Sequence, residues 1–221
     1  MPLKSLIFDF DGLILDTEMP DVQCWQAIYR EHGCEFPLQE WGRIVGGLGA
    51  AHFDPVEHLA GLTGRELDGR ALRDRQREES DRITWAQPVL PGVTALLERA
   101  GRAGLQLAIA SSSEHAWVDG HLARLGLLDK FQIVICSEDV APGRTKPNPD
   151  LYLKALEELQ ITPAQAIVFE DSLNGVRAAK AAGVYVVAVP NQVTALLGVA
   201  EADMTLGSLE EFRLEQFLGR E

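Results

Sequence analysis

"IFDFDGLILDTE", residues 7–18, decides the fold. Residues 6–10 form an apolar, β-prone run, yet Asp9 interrupts it and Asp11 follows. A buried strand tolerates a carboxylate only near an end, where burial stops. Residues i and i+2 of an extended chain share a face, so both side chains are expected to emerge together at the strand's edge. Two carboxylates in one small space repel each other unless one is protonated or a cation lies between them. A turn cap at Gly12 accounts for one aspartate but is a poor account of two.

Outward from this stretch, similar apolar runs recur at 105–110, 132–136, 166–169 and 184–189, most of them separated by segments of helical periodicity. Pro91 and Gly92 open a helix carrying Val93, Leu96 and Leu97. Ser113 is expected to cap another carrying Trp117, Val118, Leu122 and Leu125, and Asp150 to open a third with Leu153, Leu156 and Leu159. Strands alternating with helices imply an α/β fold, a doubly wound parallel sheet covered on both faces. Residues 17–87 break the alternation, with helix-like stretches around 22–31 and 65–85 and no convincing strand, which predicts a helical insertion after the first strand. The core is then 1–16 plus 88–221. The charged run at 64–83 reads as a solvated helix face with local pairs such as Glu78 and Arg82.

The chain has 221 residues, 46% of them hydrophobic, enough for a real core. Its 33 acidic against 20 basic residues give a formal charge of −13, which repels polyanions and argues against nucleic acid as a partner. Cys24, Cys34 and Cys136 are odd in number and form no CxxC pair, so reduced, packed thiols are expected. No run of about 18 apolar residues appears, nor a signal peptide, and the expectation is a cytoplasmic protein without a membrane partner, a monomer or weak dimer.

In an open parallel sheet, ligands bind beyond the carboxyl ends of the strands, where the strand order reverses. Those ends are polar here: Asp9 and Asp11, then "SSS" at 111–113, then Ser137, Glu138 and Asp139, then Glu170, Asp171 and Ser172. Asp171 offers a third carboxylate to a hard divalent ion, for which Mg²⁺ fits best, with Glu170 as ligand or orienter. Ser111, with Ser112 beside it, stands at a helix N-terminus suited to a phosphate, though simple capping would explain a serine there too. Lys146 in "TKPNPD" would supply a fixed positive charge, where a lone loop lysine is usually just solvated.

"DFDGLILDTE", "IASSS", "TKPNPD" and "FEDSLNG" follow the order and approximate separations of the four motifs of the haloacid dehalogenase-like (HAD) superfamily, and nearly the whole chain resembles its branch of sugar phosphatases and β-phosphoglucomutases. "VLPGV" at 89–93 is similar to that branch as well. The resemblance implies a Rossmann-like core with a helical cap at 17–87, Asp9 as nucleophile, Asp11 as general acid and base, Ser111 as phosphate ligand and Lys146 as charge-neutralising residue. It also implies Mg²⁺ held by Asp9, Asp11 through its backbone carbonyl, and Asp171, with Glu170 beside it. Glu18 and His115 are expected to contact a small phosphorylated substrate, and the cap to hinge near residues 15–18 and 87–91.

"GGLGAAHF" at 46–53 is only faintly like a dinucleotide fingerprint and reads better as a cap loop. In mutase-like members the resemblance implies an arginine in this loop that grips a second phosphate; Leu48, Gly49 or Ala50 stands there, with Arg43 nearby. His52 and His58, like His115 and His121, lack metal-ligand spacing. Trp25, Trp41, Trp85 and Trp117 read as core or hinge packing. A Mg²⁺-dependent phosphatase is therefore expected ahead of a phosphomutase. A dehalogenase would have no use for an acid at position 11, and a non-catalytic binding module would have no use for all four motifs.

Overall fold

In the computed structural model, which describes residues 2–45, 53–196 and 198–219, six strands form one parallel sheet. They are β1 (Ser5–Phe8), β2 (Gln106–Ala110), β3 (Ile133–Ile135), β4 (Ala166–Glu170), β5 (Tyr185–Ala188) and β6 (Met204–Thr205), in the order β3-β2-β1-β4-β5-β6. The chain winds one way from β1 to β3 and the other way from β4 to β6, so the order reverses beside β1. Ser5 pairs with both Gln106 and Ala166, which sets the carboxyl ends of β1, β2 and β4 level with one another.

Alternation along β1 divides the core. Leu6 and Phe8 pack on one face with α5 (Val93–Arg102) and α6 (His115–Arg124), where Val93, Leu96, Leu97 and Ala100 supply a stripe at i, i+3, i+4 and i+7. Ile7 packs on the other face with α7 (Asp150–Leu159) and α8 (Leu173–Ala181) through Leu151, Tyr152 and Val176. The doubly wound α/β fold expected from the sequence is present. Strand β6, only two residues long, carries too little pattern to be read from sequence.

Between β1 and α5 lie four helices, α1 (Glu18–Glu31), α2 (Leu38–Val45), α3 (Pro55–Thr63) and α4 (Gly69–Ala86). They share a small apolar cluster of their own, built on Trp25, Ile28, Tyr29, Val56 and Leu59. In α3, Asp54 caps the N-terminus by accepting from the Val56 and Glu57 N–H groups, Pro55 occupies the first turn, and Gly64 closes the helix in the left-handed conformation. On α4 Arg82 pairs with Glu79 at 2.6 Å, one position from the Glu78 expected. The residues 46–52 of the expected cap loop lie outside the described residues.

Candidate active site

Strand β1 ends at Phe8, and the Asp9 N–H donates to the carbonyl of Phe169 on β4, pinning Asp9 at the point where strand order reverses. Glu170 is the last residue of β4 and is wholly buried; Asp171 follows it. Lys146, its side chain 7% exposed, sets Nζ 2.5 Å from Asp9 Oδ1 and 2.6 Å from Glu170 Oε1. The Tyr152 hydroxyl on α7 donates to the same Glu170 oxygen, and the Ser172 hydroxyl donates to Oε2 at 3.3 Å. On α8, Gly175 lies against that carboxylate so closely that a Cβ would overlap it.

Asp9, Glu170 and Asp171 present carboxylate oxygens within 4.8 Å of one another. Three buried carboxylates face one ammonium, and the energetics reflect the imbalance. Burial, reinforced by Glu170 and only partly offset by Lys146, pushes the Asp9 carboxyl up to about 7. Burial and the Asp9 charge push Asp171 well above the carboxylate range. Burial alone would pull Lys146 down, but Asp9 and Glu170 together hold it above its ordinary value. A hard divalent cation meets this need: the donors are all oxygens and the unbalanced charge is negative. Because the Glu170 oxygens already accept from Lys146, Tyr152 and Ser172, Asp9 and Asp171 are the better placed to take such an ion.

Asp11 departs from the expectation of a paired carboxylate. The strand has already ended, Asp11 forms an isolated bridge with Leu15, and its side chain turns toward α6. There Oδ1 accepts from Trp117 Nε1 at 2.9 Å, while Oδ2 accepts from the hydroxyls of Ser113 at 2.6 Å and Ser111 at 3.3 Å. It lines the same cavity as Asp9 but stands outside the three-carboxylate cluster. Ser113 consequently does not cap α6; Glu114 is the N-cap residue and makes no side-chain cap bond.

These groups open on a cavity of about 630 Å³. Ser111, Ser112 and Lys146 line its core side, and Glu18, Asp21, Arg77, Ser80 and Thr84 line the side formed by α1 and α4. Burial and the nearby Asp11 charge push Glu18 up to about 8. Asp21 on α1 accepts from Gln76 at 2.8 Å and Ser80 at 2.5 Å, both on α4, which ties the two helices together beside the cavity. His115 is not brought to the cavity: its ring is held by Asp119, one turn along α6, at 3.1 Å and by Asp139 beyond β3 at 2.8 Å. Where the helical segment rejoins the core, Arg124 on α6 donates to the carbonyls of Thr84 at 3.0 Å and Gln87 at 2.9 Å and to His121 Nδ1 at 2.8 Å. Burial and Arg124 push His121 down to about 4, so its imidazole is neutral and Nδ1 can accept.

The model of the haloacid dehalogenase-like hydrolase family matches residues 3–183. The chain belongs to this family. The hydrolase is similar to the Bacillus subtilis protein named "Putative phosphatase YhcW", 43% identical over 216 residues that cover 98% of this chain and 96% of that protein. It is also similar to fructose-1-phosphate phosphatase YqaB of Escherichia coli, 30% identical with 81% and 92% covered. Among solved structures, a HAD family hydrolase from Deinococcus radiodurans R1 with bound phosphate and sodium shares its fold at a TM-score of 0.77 and 27% identity, covering 97% of this chain and 95% of that one.

Trp117, Tyr152 and Asn191 belong to the surroundings of this hydrolase's site but were not legible as such. Trp117 sits at apolar helical spacing and reads as core. Tyr152 is likewise an α7 core residue whose hydroxyl finds Glu170 only once the helix docks.

Proposed function

We propose that this hydrolase is a Mg²⁺-dependent phosphatase of small phosphorylated metabolites, sugar phosphates foremost, working through an aspartyl-phosphate at Asp9. The single observation that carries the reading is the Lys146 ammonium bridging Asp9 and Glu170 beside Asp171, at the floor of a polar cavity. Asp9 and Asp171 would hold the ion, with the Asp11 main chain completing the set; when bound, it offsets charge on the phosphoryl oxygens.

The remaining work falls to the chain's own groups. Asp9 attacks phosphorus in line with the departing oxygen, and Lys146 holds its carboxylate in place while neutralising part of the charge. Ser111 and Ser112 donate to the phosphoryl oxygens. Asp11 protonates the leaving alkoxide and then, as a base, deprotonates the water that cleaves the acyl phosphate. Residues 17–87 act as a cap that closes over the core by hinging near 15–18 and 87–91, excluding water during transfer. Glu18, Asp21, Ser80 and Thr84 then offer hydrogen bonds to substrate hydroxyls. No helix among the described residues is long and apolar enough to cross a membrane. A cytoplasmic monomer or weak dimer acting on a diffusible metabolite completes the reading.

The test is a panel of phosphate esters with Mg²⁺, scored by released inorganic phosphate. Hydrolysis of several sugar monophosphates with Mg²⁺ and without any bisphosphate activator is expected. A requirement for a bisphosphate activator with little phosphate released would instead identify a phosphomutase, and no turnover of any ester would leave a binding module.

A further inference from the structure

Asn191, in the loop after β5, belongs to none of the four motifs, yet both ends of its amide are committed. Its Oδ1 accepts the N–H groups of Val193 at 2.9 Å and Thr194 at 3.0 Å, and its own N–H donates to Thr194 Oγ1 at 3.0 Å. Its Nδ2 donates to Asp171 Oδ2 at 2.8 Å. The amide has one permissible orientation, because a flip would set its NH₂ against two N–H donors and its oxygen against a carboxylate. Asp171 Oδ2 is thus held by a rigid donor, and no side chain among the described residues donates to Oδ1. The opposite wall is backbone: Gly12, at φ 75°, packs against this pair so closely that a Cβ would overlap Asp171 Oδ2. Asp171 is therefore fixed from two sides by residues that carry no charge of their own.

We infer that Asn191 is a positioning residue for the metal, fixing the Asp171 carboxylate so that one oxygen is spent on the protein and the other is left for the ion. An outer partner of this kind lowers the cost of ordering the ligand before the cation arrives. The inference rests on the reading of the carboxylate cluster as a Mg²⁺ site.

The test is calorimetric titration of Mg²⁺ into wild type, Asn191→Ser and Thr194→Val, with melting temperatures recorded in parallel. Serine can still cap the turn but is too short to reach Asp171; Thr194→Val disturbs the same loop and leaves the donor intact. Asn191→Ser is expected to weaken Mg²⁺ binding by roughly 10- to 100-fold, the range for lost outer partners, while Thr194→Val lowers the melting temperature and keeps wild-type affinity. At saturating Mg²⁺, kcat of Asn191→Ser is expected to approach the wild-type value. Unchanged affinity in Asn191→Ser, or an equal loss in Thr194→Val, overturns the inference. If Asn191→Ser does not fold, Asn191→Thr is read by the same criteria. A wild type that binds no Mg²⁺ would overturn the reading of the cluster itself.

Discussion

Removing Mg²⁺ should make the protein's stability and its metal affinity depend on pH in opposite senses, and Asp9 sets the scale. Its carboxyl is raised from 3.8 to about 7, chiefly by burial. A group held protonated longer in the folded state contributes stability that is fully present below its unfolded value and is lost as pH rises through its folded one. Three units at about 1.4 kcal/mol each give roughly 4 kcal/mol lost from Asp9 in the metal-free protein between pH 4 and pH 7, and Asp171 and Glu18, raised in the same sense, add to the loss. Binding of Mg²⁺ must displace the Asp9 proton. At pH 5.5, about 1.5 units below the folded value, the apparent affinity should fall by roughly 30-fold or more against that above pH 7.5, with one or more protons released because Asp171 is raised as well. Titration calorimetry at both pH values, in buffers of different ionisation enthalpy, measures affinity and proton release together. Equal affinity at the two pH values, or tighter binding at pH 5.5, would refute the claim that burial holds the proton on Asp9.

Other consequences follow from particular contacts. Lys146→Met leaves Asp9 and Glu170 buried without their cation and should cost about 3–5 kcal/mol by urea unfolding at pH 8, less at pH 5.5 where the carboxyls take protons. Gly175→Ala places a Cβ on the Glu170 carboxylate and should destabilise by more than about 3 kcal/mol, since neither the buried strand end nor α8 can yield cheaply. Arg124→Ala removes the donors to Thr84 and Gln87, so hydrogen exchange at residues 84–90 should accelerate while that of β1 and β4 stays at wild type.

The strand ends were legible because a parallel sheet announces itself as short apolar runs and its ligand site as the polar residues that stop them. Asp9, Glu170 and Asp171 sit together for that reason, and Lys146 joins them from the loop before α7. Asp11 lines the same cavity as Asp9, but its side chain does not share the Asp9 face, because the i, i+2 rule holds only while the backbone stays extended, and β1 ends before it. Trp117 packs against the core as expected, but the ring N–H it spends on Asp11, and the Ser113 hydroxyl that goes to Asp11 instead of capping α6, reach a partner more than a hundred positions away. The α3 helix, by contrast, carried its signal in Asp54, Pro55 and Gly64 and could have been found. Asn191 could not, since its significance depends on the loop after β5 folding back onto the end of β4.

The central claim, that Asp9 attacks phosphorus, is tested most directly by acid-quenching the enzyme during turnover of a radiolabelled phosphate ester and mapping the label. The account predicts a hydroxylamine-labile label on the peptide containing Asp9 in wild type, and neither label nor phosphate release in Asp9→Asn. Wild-type turnover by Asp9→Asn, or steady phosphate release with no label ever trapped on Asp9, would contradict it.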